Sequence, residues 1–149
     1  MANIRFYHLQ NQNIEQALPA LVTKALAQGY RIVIKTADEK AAEFLNEYLW
    51  TYNAESFLPH GTAKDGFEQR QPVFLTSTND NPANAEVLIV AGGETPEDLS
   101  AYTLACEMLD GKNDSAIADA RTRWKAYKQA GHNITYWQQT PQGGWEEKT

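Results

Sequence analysis

The sequence predicts a three-layer α/β domain with a mainly parallel central sheet, and three observations predict it. Short β-branched runs such as Arg31–Lys35 (RIVIK) and Glu86–Ala91 (EVLIVA) lack polar alternation, as strands buried on both faces require. Segments with apolar residues at spacings of three and four stand between such runs. The opening order, strand–helix–strand–helix, calls for right-handed crossovers between parallel neighbours.

Taken in order, Asn3–Leu9 (NIRFYHL) sets Ile4, Phe6, Tyr7 and Leu9 among polar neighbours and is predicted as the first strand. The polar turn QNQN leads to a helix ending near Gln28–Gly29, with Leu18, Leu21, Val22, Ala25 and Leu26 as its inner stripe. Pro19 suits only the first turn of such a helix. After the strand Arg31–Lys35, Thr36 or Asp38 caps a second helix running to about Trp50, with Ala41, Phe44, Leu45, Tyr48 and Leu49 facing inward. Tyr52–His60 (YNAESFLPH) is too irregular for a helix and too aromatic for a plain linker, and Gly61–Gln71 is polar. Pro72–Thr76 (PVFLT) and Glu86–Ala91 are further strands, separated by a loop rich in turn formers. Thr95-Pro96-Glu97-Asp98 starts a short helix with proline at its first position. Tyr102–Met108 is read as a strand in preference to an extension of that helix. A helix from about Asn113 to Gly131 and a closing strand, His132–Trp137, complete a single domain spanning residues 1–137. Gln138–Thr149 (QQTPQGGWEEKT) has no periodicity and is predicted to be a flexible, frayed tail.

Composition narrows the function classes. A chain of 149 residues buries a core without metal or disulfide staples. The net charge of −6, with a pI near 5.0, argues against a whole-protein grip on nucleic acid, which needs a basic surface. The single cysteine, Cys106, excludes an internal disulfide and fits a reducing compartment. No apolar run is long enough for a membrane span, and MANIRFYHL lacks the charge-then-apolar pattern of a signal peptide. These features point to a cytoplasmic protein.

Local chemistry is sparse. There is no G-x-G-x-x-G and no Walker lysine loop. Gly92–Gly93 is the nearest imitation, but Glu94, Glu97 and Asp98 follow it, and Asp38 and Glu39 stand at the start of the second helix. Acids there suit the helix dipole and repel a phosphate, so no nucleotide cofactor is expected. His8, His60 and His132 lie on separate elements, without the spacing of a metal site. Cys106 sits among apolar residues and is read as a small core group.

The stretch Asn113–Trp137 is the exception. Asn113 or Asp114 can cap its helix, and Gly131 fits the left-handed position after the last turn. Ile117, Ala120, Trp124 and Tyr127 share one stripe, and Arg121, Lys125 and Lys128 line its flank. Such a helix suits a ligand that is both apolar and anionic. The plainer alternative is a core Trp beside cations that complement the helix dipole.

With these segments in view, the sequence resembles the chi subunit of bacterial DNA polymerase III over residues 3 to about 137. The resemblance rests on Phe6–Tyr7, Leu49–Trp50, Ala54-Glu55-Ser56-Phe57-Leu58-Pro59-His60, Arg121-x-Arg123-Trp124-Lys125-Ala126-Tyr127, Ala130–Gly131 and Asn133. It implies a Rossmann-like α/β fold without nucleotide binding, and an accessory protein with no catalysis of its own. It implies two partners: the acidic C-terminal tail of single-stranded DNA-binding protein, and the small psi subunit of the clamp-loader assembly. On that reading Arg121 forks onto the tail's terminal carboxylate and Lys125 and Lys128 attract its aspartates. Trp124 and Trp50 wall an apolar pocket, and Phe57 falls in the region associated with psi contact. Trp124 stands where relatives commonly have Tyr, and Ile117 replaces a position that can be basic. Two other classes stand beside this one: a direct single-stranded nucleic-acid module with Trp124 as stacking platform, and an enzyme on the same scaffold. The acidic helix starts give one expected outcome at once. Thermal-shift measurements with NAD, ATP and GTP should stay flat, and a saturable stabilisation by any of them would contradict the accessory-subunit reading.

Overall fold

The computed structural model describes residues 3–10, 12–51, 60–62, 71–92, 99–142 and 144–148, with the backbone alone for residues 50 and 51. Along the chain run β1 (Asn3–Leu9), α1 (Ile14–Ala27), β2 (Ile32–Lys35), α2 (Glu39–Thr51), β3 (Val73–Thr76) and β4 (Val87–Val90). Then follow β5 (Leu104–Asp110), α3 (Asp114–Gln129), β6 (Asn133–Gln139) and β7 (Trp145–Lys148). The strands form one sheet in the order β3-β2-β4-β5-β1-β6-β7. Every neighbouring pair is parallel except β6 and β7. The strands expected near residues 4–9, 31–35 and 86–91 therefore do share one parallel sheet.

Each helix is started by a side chain that satisfies an otherwise orphaned N–H. Gln16 Oε1 accepts from the Asn13 N–H at 2.9 Å at the head of α1. Asp38 Oδ1 accepts from Ala41 N–H at 2.8 Å and is the cap of α2, while Thr36 Oγ1 donates to the Asp38 carbonyl. Asn113 Oδ1 accepts from Ala116 N–H at 3.1 Å and caps α3. Gly131 closes α3 with a φ of 85°, the left-handed conformation that its lack of Cβ permits.

Alternate residues of the strands feed two cores. Ile4 and Phe6 of β1 join Val33, Leu88, Val90, Ala105, Leu109 and Ala120 of α3, with Trp124 and Tyr127 packed against them. Tyr7 and Leu9 join Ile32, Ile34, Cys106 and Met108, together with Ala17, Leu18 and Val22 of α1 and Ala42, Leu45 and Leu49 of α2. Successive strand residues point to opposite faces, so α1 and α2 lie against one face and α3 against the other.

Four sequence expectations are corrected. Pro19 lies in the second turn of α1, not the first; it is buried in the core, and its ring replaces the N–H that would have bonded the Glu15 carbonyl. Phe44 does not face inward: it is 55% exposed and pairs with Tyr48 at 6.3 Å, because Ala42, Leu45 and Leu49 hold the buried stripe of α2. The last parallel strand runs past Trp137 to Gln139, whose buried side chain accepts from the N–H groups of Gln10 and Gln12 and donates to Gln12 Oε1 at 2.7 Å. The predicted frayed tail contains β7, antiparallel to β6, with Gln139 opposite Trp145. Trp145 meets Tyr7 edge-on at 4.9 Å, beside Trp137 stacked on Tyr7 at 6.4 Å. A single aromatic anchors this strand, so no helical or strand periodicity marks it in the sequence. The strand expected over residues 102–108 is found at Leu104–Asp110, whereas the short helix expected at 95–98 and most of the YNAESFLPH segment fall outside the described residues.

Trp145 is half-buried, so Trp145→Ala should cost about 1–3 kcal/mol, less than the roughly 3–5 kcal/mol typical of a fully buried aromatic. Denaturant unfolding of wild type and variant measures it. A difference of a few tenths of a kcal/mol would show that β7 contributes little to the fold.

Candidate functional site

The register of the sheet lines up a row of residues under α3. Lys35 of β2 pairs with Val90 of β4, Val90 with Glu107 of β5, Glu107 with Phe6 of β1, and Phe6 with Tyr136 of β6. Paired positions point to the same face, and this is the face that α3 covers. Trp124 lies 5.3 Å from Phe6, tilted at 49°, and 6.4 Å from Tyr136 in edge geometry at 77°. Such tilted and edge contacts satisfy the ring quadrupoles and hold the indole in place.

Beyond Trp124, α3, β6 and β7 border a groove of about 710 Å³. Its apolar floor comes from Phe6, Trp124, Ile134 and Tyr136, and its charged lining from Arg121, Lys125, Glu147 and Lys148. Arg121 and Lys125 are four residues apart and so share a face of α3; both are exposed. Arg121 lies near enough to Tyr136 to oppose the effect of burial, which raises the Tyr136 phenol above its ordinary range. At the inner end, His8 Nδ1 is hydrogen-bonded to the Tyr136 hydroxyl, and the two rings meet edge-on at 5.8 Å. Burial lowers the pKa of His8, because the charged imidazolium would lose its hydration there. Gly111 follows β5 close to this point: a Cβ on it would run into the Leu9 carbonyl and the His8 ring, so no larger residue fits without a shift.

Of the residues singled out in the sequence, the fold brings Arg121, Trp124 and Lys125 into one groove, and Ile117 lines it as well. Lys128 is exposed on α3 but does not line the groove. Trp50 does not belong with them. It sits on α2, which packs against β3 and the opposite core, while the groove borders β6. Four strands separate β3 from β6, and neighbouring strands stand about 4.8 Å apart, so the helix carrying Trp50 is a sheet's breadth away. The Trp50 side chain and Phe57 lie outside the described residues. Sequence reasoning missed Phe6, His8, Tyr136, Glu147 and Lys148, which come from strands distant in sequence. The only local hint was the unusual density of aromatics in Phe6–Tyr7 and Tyr136–Trp137.

The groove offers flat apolar walls, with Arg121, Lys125, Lys148 and Glu147 among its charged lining. Among the described residues no group of His, Cys, Asp and Glu stands together to hold a metal. The buried Cys106 thiol is pushed up to about 12 by desolvation, far from a nucleophile's range.

Comparison with known proteins agrees with this picture. The family model described as DNA polymerase III chi subunit, HolC, matches residues 1–135. The chain belongs to the DNA polymerase III chi subunit family. A DNA polymerase III subunit chi from Escherichia coli is 31% identical over 142 residues, covering 90% of this chain and 96% of the relative. A probable DNA polymerase III subunit chi from Rickettsia prowazekii is 34% identical over 100 residues, covering 67% of this chain and 59% of the relative. One from Pseudomonas aeruginosa is 27% identical over 139 residues, covering 90% and 94%. As a chi-family protein the chain is a DNA-replication accessory subunit and is not catalytic by itself.

His8 supplies a pH test of this part of the fold. Its folded pKa is depressed, so the unfolded chain binds the proton more readily, and its contribution to stability is fully present above the ordinary histidine pKa and is lost as pH falls. Urea unfolding above and below that value should show the loss in wild type and a flatter profile in His8→Gln. Identical profiles would place the acid sensitivity elsewhere.

Proposed function

We propose that this chi-family chain links the clamp-loader assembly of DNA polymerase III to single-stranded DNA-binding protein, gripping that protein's acidic C-terminal tail in the groove beside α3. The observation that carries the reading is the joining of Arg121 and Lys125 to the Phe6–Trp124–Tyr136 floor in a single groove. A tail that ends in an apolar residue needs such a combination. The last side chain lies on the aromatic floor, Arg121 forks onto the terminal carboxylate, and Lys125 and Lys128 attract the aspartates behind it. Glu147 on the same lining repels an acidic tail that strays toward β7, which favours one direction of entry.

The seven-stranded sheet with helices on either side is a three-layer, Rossmann-like scaffold that carries no nucleotide-binding loop. Residues 1–137 act as one domain, to which β7 is added. A psi-like subunit is the second partner, contacted through the segment that holds Phe57. Exposed Phe44 beside Tyr48 on α2 offers an apolar contact away from the groove. DNA is reached indirectly, through the tail's owner, because a net charge of −6 offers no extended basic surface. No described helix is long and apolar enough to cross a membrane, and a cytoplasmic location fits the replication role.

Calorimetry with a short acidic peptide ending in Phe tests the proposal. Arg121→Ala should weaken binding by about 2–4 kcal/mol, because the bound peptide covers the charge pair and its loss strands a carboxylate. Lys125→Ala should cost less, about 0.5–1 kcal/mol, and flatten the salt dependence. Arg121→Lys should recover part of the loss, since a point charge cannot reproduce a bidentate fork. Equal affinities for wild type and Arg121→Ala would reduce α3 to a solvated basic face.

A further inference from the structure

We propose that a second site, the crevice at the carboxyl ends of β2, β4 and β5, binds an ammonium or guanidinium group with Glu107 as its anchor. This crevice has a volume of about 620 Å³ and lies on the flank of α3 away from the tail groove. It is lined by Lys35, Glu107, Asp110, Asp119 and Arg123.

Glu107 is the reason to expect a ligand. Its residue is 1% exposed, and its Oε1 accepts from Arg123 Nε at 2.6 Å. Its second oxygen, Oε2, is shielded from solvent and has no hydrogen-bond partner among the described residues. A buried carboxylate oxygen loses its hydration without compensation unless a donor reaches it. Glu107 lines the crevice, so that is the side from which a donor can come. The cations already present are engaged: Arg123 bonds Oε1, and Lys35 Nζ donates to Asn79 Oδ1.

Charge and topology agree. Glu107, Asp110 and Asp119 outnumber Lys35 and Arg123 by one, so the crevice favours a cation over an anion. It also sits where the chain turns apart, β2 leading outward to β3 and β4 leading back to β5, which is where open α/β sheets form a ligand crevice. A phosphate would meet carboxylates there, whereas an N–H donor would meet acceptors in Glu107, Asp110 and Asp119. The same chemistry comes from a free amine or from a Lys or Arg side chain of another protein.

Titration of the full chain with putrescine, argininamide and a capped Gly-Lys-Gly peptide tests this, followed by thermal shift and by the 13C resonance of the Glu107 carboxylate. We expect saturable stabilisation and movement of that resonance with donor-bearing probes. Tetramethylammonium, which has no N–H, and inorganic phosphate should do neither. Glu107→Gln should weaken binding by about tenfold or more, while Arg121→Ala in the other groove leaves it unchanged. Should Glu107→Gln fail to fold, Asp119→Asn on the exposed face of α3 should still weaken binding by a smaller factor. Response to the free amines alone supports a small-molecule ligand, and response to the capped peptide supports a protein side chain. A Glu107 resonance that no probe moves, or tetramethylammonium acting as well as putrescine, would overturn the proposal.

Discussion

β1 lies between β5 and β6, and its parallel register with both neighbours determines what α3 finds beneath it. Asn3 pairs with Leu104 and Asn133, and from that start Phe6 falls between Glu107 and Tyr136. A slip of one residue would turn Phe6 to the α1 face and put Tyr7 under Trp124. The aromatic floor and the His8–Tyr136 hydrogen bond would be lost together. The register is held because each face of β1 is buried: Ile4 and Phe6 in one core, Tyr7 and Leu9 in the other.

Upon that row, α3 divides its basic residues by helical geometry. Arg121 and Lys125 point to one flank, and Arg123, two residues from each, points to the other. In a chain with net charge −6, this concentrates cationic character at one groove while Arg123 is neutralised on buried Glu107. A short run of like charges in the sequence thus becomes two environments of different sign and different partner.

Membership of the chi family gives the accessory role, and the groove gives a physical reason for it. Flat aromatic walls beside exposed cations are compatible with holding a ligand that is both apolar and anionic. Asp38 caps α2 and Glu39 stands in its first turn, where acids complement the helix dipole.

Much of the architecture was legible in the residue pattern. RIVIK, PVFLT and EVLIVA are apolar throughout because parallel strands are covered on both faces, and that signal is local. The caps Asp38 and Asn113 and the left-handed Gly131 were readable for the same reason: each acts on backbone groups within a few residues. Arg121, Trp124 and Lys125 could be grouped because helix spacing alone puts them side by side. Other features depend on pairings across the chain, and the sequence by itself did not determine them. Tyr136 and His8 are 128 positions apart, and only the sheet register joins them. Trp50 was grouped with the α3 residues by resemblance, yet α2 packs on the far edge of the sheet. The tail became β7 because one indole found Tyr7, a contact with no periodicity to announce it. Local spacing is set by covalent geometry and is written in the chain; which surfaces meet is decided by the joint packing of all elements, and only the tertiary structure contains it.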